Sequence, residues 1–304
     1  MEEYVASRLS VEVDTSWNVE ALKTVATVVR TNAYSAIAEN SPHKRDGFDY
    51  CADSHCGTYH GCGNVDDNAI NAVGATKGNV IKCDGKLINA LYGTNYGGAT
   101  VSLADAYGEQ MASKGKYLSG MSAAWEKFET RTGGRWKSEI SPYELYELLS
   151  QRVSDCNLEG NIAEVKIVKR SENGIYVTEI EFTDIFENKM ILSGSEVIRN
   201  LLSGTVKSAN FVVGVAGSET VETTLNYDSD TKETASSETK IELNGTYGNF
   251  VFVGRGTGSG LGLSLNGVND LANSGFSYEN AYVDIIKIYY KDVTVEQIMP
   301  SGVI

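Results

Sequence analysis

Trp17–Tyr34 reads WNVEALKTVATVVRTNAY. Leu22, Val25, Ala26, Val29, Ala33 and Ile37 recur there at the 3.6-residue spacing of an amphipathic helix, which the pattern extends over 17–38. Ser16 stands where an N-cap is wanted, and Glu20 falls in the first turn, where the helix dipole favours a carboxylate. Upstream, residues 4–13 alternate weakly and fit either a strand or a short helix. Downstream, residues 41–64 are polar and rich in Cys, His, Asp and Gly, which reads as an irregular loop. Residues 66–77 read as a short helix. Val80–Cys83 and Leu87–Tyr92, with Asp84-Gly85 between them, carry the pattern of a tight hairpin, and a glycine-rich loop follows over Gly93–Gly98.

The second half has a different rhythm. Pro142–Arg152 reads as a helix, and 162–193 alternates in the manner of an antiparallel sheet. A short helix is expected at Glu196–Leu202 and a strand at Asn210–Val215. Residues 217–239 are dominated by Ser, Thr, Glu and Asp, which predicts a hairpin tip or loop without core potential. Phe250–Val253 reads as a strand leading into GRGTGSGLGLS, and helical turns are expected at Val268–Ser274 and Tyr278–Ile288. The expected fold is α+β with two lobes and a cleft between them. Residues 1–125 with 250–304 form a mixed helix-sheet core lobe, and 126–249 a mostly antiparallel β lobe.

Length and composition set outer bounds. The 304 residues suffice for one large domain or two ordinary ones, and 41% hydrophobic with 22% charged residues is a globular balance. A formal net charge of −14 argues against wrapping nucleic acid, which demands clustered Lys and Arg. No stretch has the apolar length of a membrane span. Met1-Glu2-Glu3-Tyr4 enters a structured pattern directly, which fits a cytosolic protein or a chain trimmed of its targeting segment.

Two constellations carry chemistry. Glu20 is either a helix-stabilising acid or a general acid, and Arg30 is either a structural ion-pair partner or a group that positions a substrate. His43, Cys51, His55, Cys56, His60 and Cys62 crowd one loop, and this clustering argues for a metal as much as for a disulfide such as Cys51–Cys56. Cys83 and Cys156 lie apart and read as buried apolar residues. The glycine run 254–262 lacks the Gly-Lys-Ser/Thr ending of a phosphate loop, so its backbone is expected to turn tightly or to approach a ligand closely.

The blocks ASRLSVEVDTSWNVEALKTVATVVRTNAY, FDYCADSHCGTY, VIKCDGKLINALYGTNYGGAT, KYLSGMSAAWE, SANFVV and FVGRGTGSGLGLSLNGVNDLANSGFSYENA, taken in order, resemble the stage II sporulation protein D family, which includes the amidase-enhancer proteins. The resemblance runs from about residue 3 to about residue 290. It implies a lytic transglycosylase that cleaves peptide-free glycan strands of the bacterial wall, with Glu20 of Glu20-Ala21-Leu22-Lys23 as the acid. Such an enzyme can work with one carboxyl group, because the sugar's own 6-hydroxyl attacks and closes a 1,6-anhydro ring. The family's Arg-Thr pair is Arg30-Thr31, and its double-glycine block is Thr94 to Thr100. Thr94, Tyr96 and Thr100, with Arg255 and Ser259 of the glycine run, join Arg30 as candidates for substrate contact.

Some relatives hold a structural zinc in this loop. The matching positions are His43, Cys51, His55 and Cys56, with His60 and Cys62 able to substitute. The resemblance also implies an extracellular or envelope location, with an anchor outside this chain, and a cell-wall amidase as a partner. The family's Trp, His and Gln in the glycine run are Thr257, Ser259 and Leu265 here, and its usual His after Tyr92 is Gly93. These changes keep the glycines and drop polar groups, which favours a second reading: a non-catalytic wall-binding or amidase-enhancing module.

Overall fold

A computed structural model describes residues 1–40, 43–52, 59–63, 65–131, 134–228, 231 and 233–298. The chain is α+β, as expected, with mostly antiparallel sheets. It divides into two compact units, Met1–Tyr92 with Val268–Ile304, and Gly93–Gly267. No helix among the described residues is long and apolar enough to cross a membrane.

The first unit is built on the stretch that opens the sequence argument. Residues 4–12 of that stretch belong to helix α1 (Glu2–Glu12), which buries Val5 and Leu9 completely. Helix α2 (Val19–Ser35) packs against α1, against α3 (Asp67–Ala75), against strand β1 (Asn79–Cys83) and against the late helix Ala281–Tyr289. A helix touched on so many sides must be apolar nearly all round. Ala21, Leu22, Val25, Ala26, Val28, Val29 and Ala33 are all buried. Its buried threonines are satisfied locally. Thr24, Thr27 and Thr31 donate to the carbonyls four residues back at 2.7–2.9 Å, and Thr31 Oγ1 also accepts the Ile81 amide at 2.9 Å.

The N-cap of α2 is Asn18, not Ser16. The Ser16 and Trp17 amides are spent on Asp14 in a tight turn, so the helix starts later and Asn18 Oδ1 accepts the Glu20 amide at 2.9 Å. The expected hairpin joins β1 to β2 (Lys86–Leu87) through Asp84 and Gly85, both at positive φ (50° and 76°), the signature of a type I′ turn. Its second strand is shorter than the sequence pattern suggested. The other edge of β1 pairs antiparallel with Thr294–Gln297. That strand escaped the sequence reading because four residues are too few to establish a period.

In the second unit, Phe250–Arg255 is the middle strand of an antiparallel sheet, flanked by Arg135–Ile140 and Phe211–Val215. Sequence reading had grouped this strand with the N-terminal lobe; its ladder partners lie in the second unit. Pro142–Arg152 is helical as expected, opened by a capping box between Ser141 and Glu144. The alternation over 162–193 resolves into strands Ile162–Arg170, Val177–Asp184 and Lys189–Ser193, with Ile180, Phe182, Met190 and Leu192 turned to the core. In the stretch expected to be a hairpin tip or loop without core potential, Glu219–Tyr227 pairs with Thr234–Glu242 as a regular antiparallel hairpin. Serine and threonine alternation suits a two-stranded ladder, and Glu222 on its inner side is 6% exposed. The remaining structural departures are Cys83 and Cys156, which are half-buried rather than buried.

Asp184 organises the turn before Lys189–Ser193. Burial pushes its carboxyl up from the ordinary 3.8, but hydrogen bonds from the Glu159, Asn188 and Phe186 amides and the Asn188 side chain outweigh this and hold it at about 2. A depressed carboxyl adds stability that is complete above its unfolded value and is lost as pH falls through its folded one. Urea midpoints of the wild type are therefore expected to drop between about pH 4 and pH 2, with part of that slope absent in Asp184→Asn. An identical slope in both proteins would contradict this account of the turn.

Candidate functional site

Glu20 lies in the first turn of α2, and its side chain is 3% exposed. Both carboxylate oxygens are engaged. Oε1 accepts Lys23 Nζ at 2.6 Å, one turn along the same helix, and Oε2 accepts the backbone amide of Tyr282 at 3.0 Å. Tyr282 is the second residue of Ala281–Tyr289, so the carboxylate of one helix start also caps another, where orphan amides and the helix dipole attract an anion. The entry into α2 is fixed in the same way. The Asn18 amide donates to Asn269 Oδ1 at 3.2 Å, and Asn18 Nδ2 reaches the Ala272 carbonyl and Asn273 Oδ1 at 3.4 and 3.3 Å.

An aromatic pair adjoins this capped helix. Phe276 and Tyr278 have ring centroids 6.1 Å apart, and Tyr278 is 48% exposed. The Tyr278 carbonyl accepts the Ala281 amide at 3.1 Å, and its phenol donates to Asp284 at 2.6 Å. That hydrogen bond is the main cause that pushes the phenol up, joined by desolvation and by the charges of Asp284 and Glu20.

Arg30 is completely buried, and its donors are spent inside the unit. They reach Glu2 at 2.7–3.2 Å, the Val73 and Asn79 carbonyls at 3.2 Å each, and Thr76 Oγ1 at 3.4 Å. The Arg therefore ties α1 and α2 to the end of α3 and the start of β1.

The candidates in the second unit gather at two touching loops. Tyr96, at 2% exposure, donates its phenol to the Leu261 carbonyl at 2.8 Å, and burial pushes that phenol up strongly. Thr100 Oγ1 accepts the Met121 amide at 3.0 Å, Thr94 is exposed, and Ser259 Oγ accepts the Leu261 amide at 3.2 Å. Arg255 is 2% exposed and is held by Glu222 at 2.6 and 2.9 Å. The glycine run is explained by this packing. A Cβ on Gly256 would come within 2.5 Å of the Tyr96 backbone, and one on Gly260 within 2.5 Å of the Tyr176 ring. The backbone approaches protein at these points.

Two of the four expected zinc ligands, His55 and Cys56, lie outside the described residues. His43 sits against Phe48 at 4.5 Å and has Nδ1 3.1 Å from Asp46, while Cys51 is half-buried. Cys62 is exposed and 3.2 Å from the Tyr59 phenol. Among the described residues, no three His, Cys, Asp or Glu side chains are grouped so as to hold a metal.

Sequence reading missed Lys23 and Tyr282. Lys23 was legible as the i+3 partner of Glu20. Tyr282 acts through its backbone, which leaves no side-chain signal. Also unread was the cluster of Arg8, Glu12 and Tyr92, in which Arg8 pairs with Glu12 and the Tyr92 phenol donates to Glu12 at 2.9 Å. Burial pushes that phenol up.

Residues 1–82 match the family model described as Stage II sporulation protein. The Amidase enhancer of Bacillus subtilis (strain 168) is 24% identical over 300 residues, which covers 93% of this chain. The chain spans 39% of that relative's length. The resemblance seen in the ordered sequence blocks is borne out.

Proposed function

We propose, from the similarity of this chain to the stage II sporulation protein family model and to an amidase enhancer, that it is a lytic transglycosylase acting on peptide-free glycan strands of the bacterial wall. Glu20 is its acid and base. The observation that carries this reading is the fixing of the Glu20 carboxylate by Tyr282 and of its helix start by Asn18, beside an aromatic pair of half-buried Phe276 and exposed Tyr278. A general acid must be held in one place, and a sugar ring needs an apolar face to lie against.

The chemistry asks two things of one carboxyl group. It gives a proton to the leaving glycosidic oxygen, and it then takes the proton of the attacking 6-hydroxyl. Hydrogen-bond logic sorts the two oxygens. Lysine and amide nitrogens only donate here, so Oε2 stays with Tyr282 and orients the group. The transferable proton belongs on Oε1, which requires Lys23 to withdraw from its 2.6 Å contact as the glycan enters. Lys23 then remains close enough to balance the carboxylate left after the first transfer. No step runs through the Cys/His loop. A zinc held by His43, Cys51, His55 and Cys56 would clamp that loop.

A second reading is favoured by a specific observation. With its side chain 3% exposed and both oxygens engaged, Glu20 also serves well as a structural tie between two helices. In that reading the chain binds wall glycan, or assists a wall amidase, without cutting. Digestion of peptide-free glycan by the wild type and by Glu20→Gln separates the two. Anhydro-muramic ends from the wild type, absent with a folded Glu20→Gln, support cleavage. Wall binding by both proteins with no anhydro ends from either supports the module.

A further inference from the structure

An asparagine followed by glycine is a point at which a protein chain readily attacks itself, because glycine sets no Cβ in front of its own amide nitrogen. The sequence holds three such pairs, Asn173-Gly174, Asn244-Gly245 and Asn266-Gly267. Two of them are locked by hydrogen bonds. Asn173 Nδ2 donates to the Thr100 carbonyl at 3.0 Å, its Oδ1 accepts the Ile175 amide at 3.2 Å, and the Gly174 amide donates to the Ser171 carbonyl at 2.8 Å. Asn266 is 8% exposed in the first turn of the helix Leu265–Asn273. Its Oδ1 accepts Arg131 Nη1 at 2.5 Å, and the Gly267 amide donates to Ser264 Oγ at 3.3 Å. A nitrogen committed to a hydrogen bond, next to a side chain held elsewhere, must first break free to react.

Asn244-Gly245 is different. Both residues are exposed, in the loop between Thr234–Glu242 and Phe250–Arg255. Among the described residues, neither the Asn244 side chain nor the Gly245 N–H has a hydrogen-bond partner. The pair spans two fixed points. Before it, Leu243 is fully buried against Ala216 and Val251, its amide donates to the Ser218 carbonyl at 2.9 Å, and its carbonyl accepts the Gly217 amide at 2.8 Å. After it, Glu139 Oε1 accepts the Thr246 amide at 2.8 Å and Asn249 Nδ2 at 2.7 Å. Glycine is required at 245. A Cβ there would come within 2.8 Å of Val251 Cγ2 and 2.9 Å of Glu139 Oε2. Packing therefore demands the one residue that makes Asn244 labile.

We propose that Asn244-Gly245 is a self-modification site, at which the folded chain deamidates through a cyclic imide, and that the isoaspartyl product unseats the 244–249 loop from Glu139. The Gly245 nitrogen, its proton taken by hydroxide, attacks Asn244 Cγ. The new N–Cγ bond closes the imide as the Cγ–Nδ2 bond breaks, and the leaving nitrogen takes a proton and departs as ammonia. Water then opens the ring at either carbonyl and leaves aspartate or isoaspartate. No group changes oxidation state, and water is the sole co-reactant. Isoaspartate routes the main chain through Cβ and Cγ, which lengthens it by one carbon between Leu243 and Thr246. Gly245, pressed against Val251 and Glu139, has no room for the extra length. The product also adds a carboxylate to the loop that the Glu139 carboxylate holds. The inference goes beyond the wall-glycan reading and does not rest on it.

The test is ageing of the full chain at mildly alkaline pH in water enriched in ¹⁸O, followed by peptide mapping. The peptide that holds Asn244 should lose its amide, gain one ¹⁸O and contain isoaspartate. In the folded chain it should convert at least about tenfold faster than Asn173 or Asn266, which react only after their hydrogen bonds open. In urea the three should convert at similar rates. Hydrogen exchange then reads the loop. The Thr246 amide should exchange about tenfold faster in the aged wild type, for the loss of its bond to Glu139, and should stay protected in Asn244→Gln aged alongside. Conversion of Asn244 no faster than of Asn173 and Asn266 in the folded chain overturns the site. Thr246 exchange that is unchanged by conversion, or that rises equally in Asn244→Gln, overturns the effect on the loop.

Discussion

Arg30→Ala is expected to destabilise the protein by about 3–5 kcal/mol, the range for breaking a buried, hydrogen-bonded ion pair from one side. The guanidinium is fully buried and serves Glu2, Thr76 and the Val73 and Asn79 carbonyls at once. Its removal takes a donor from the Asn79 and Val73 carbonyls, leaves Val73 to Thr76 alone, and opens a cavity among α1, α2 and α3. The midpoint of urea unfolding should fall accordingly, and Arg30→Lys should recover only part of the loss, because an ammonium cannot reproduce the forked geometry. Glu2 is 28% exposed on its side chain, so Glu2→Gln should cost far less. If Arg30→Ala unfolds like the wild type while its turnover collapses, the residue faces substrate and the structural assignment is wrong.

The second large effect concerns rate. Glu20→Gln is expected to lower the formation of anhydro ends by roughly 10²–10⁴-fold, the usual contribution of a positioned general acid or base. The amide keeps an oxygen for the Tyr282 N–H but turns donors toward Lys23, so the helix junction is also weakened. Stability must therefore be followed alongside rate. The double variant Glu20→Gln with Lys23→Met removes that donor clash. Under the cleavage reading it regains stability and stays inactive.

Much of the fold was legible because its elements are long and periodic. The α2 stripe from Leu22 to Ala33, the capped helix at Pro142 and the alternation over 162–193 each repeat often enough to set a period. The Asp84-Gly85 turn was legible because few residues accept two consecutive positive φ values. Thr294–Gln297 was not, being short and paired to a strand more than two hundred residues earlier in the chain. At 217–239 a hairpin was one of two readings, and the Ser, Thr and Glu composition left it open against a loop because a cross-strand ladder leaves little trace in composition.

At the site, residue types located Glu20, but they did not reveal its environment. Asn18 displaced Ser16 as the cap because the Asp14 turn consumed the earlier amides. The Tyr282 amide, which holds the carboxylate, carries no trace in a side-chain pattern. The glycine run reads as backbone that either turns tightly or approaches a ligand closely; Gly256 and Gly260 do turn, at φ 65° and 76°, and what they approach closely is Tyr96 and Tyr176. A sequence shows that a residue needs to be small; it does not show what presses against it.

The most direct test of single-carboxylate cleavage is digestion of peptide-free glycan strands in water enriched in ¹⁸O, with product masses read by mass spectrometry. Attack by the sugar's own 6-hydroxyl predicts anhydro-ended fragments that carry no ¹⁸O and weigh one water less than hydrolytic fragments. Reducing ends that carry ¹⁸O would show that water is the nucleophile and would contradict the mechanism built on Glu20 alone.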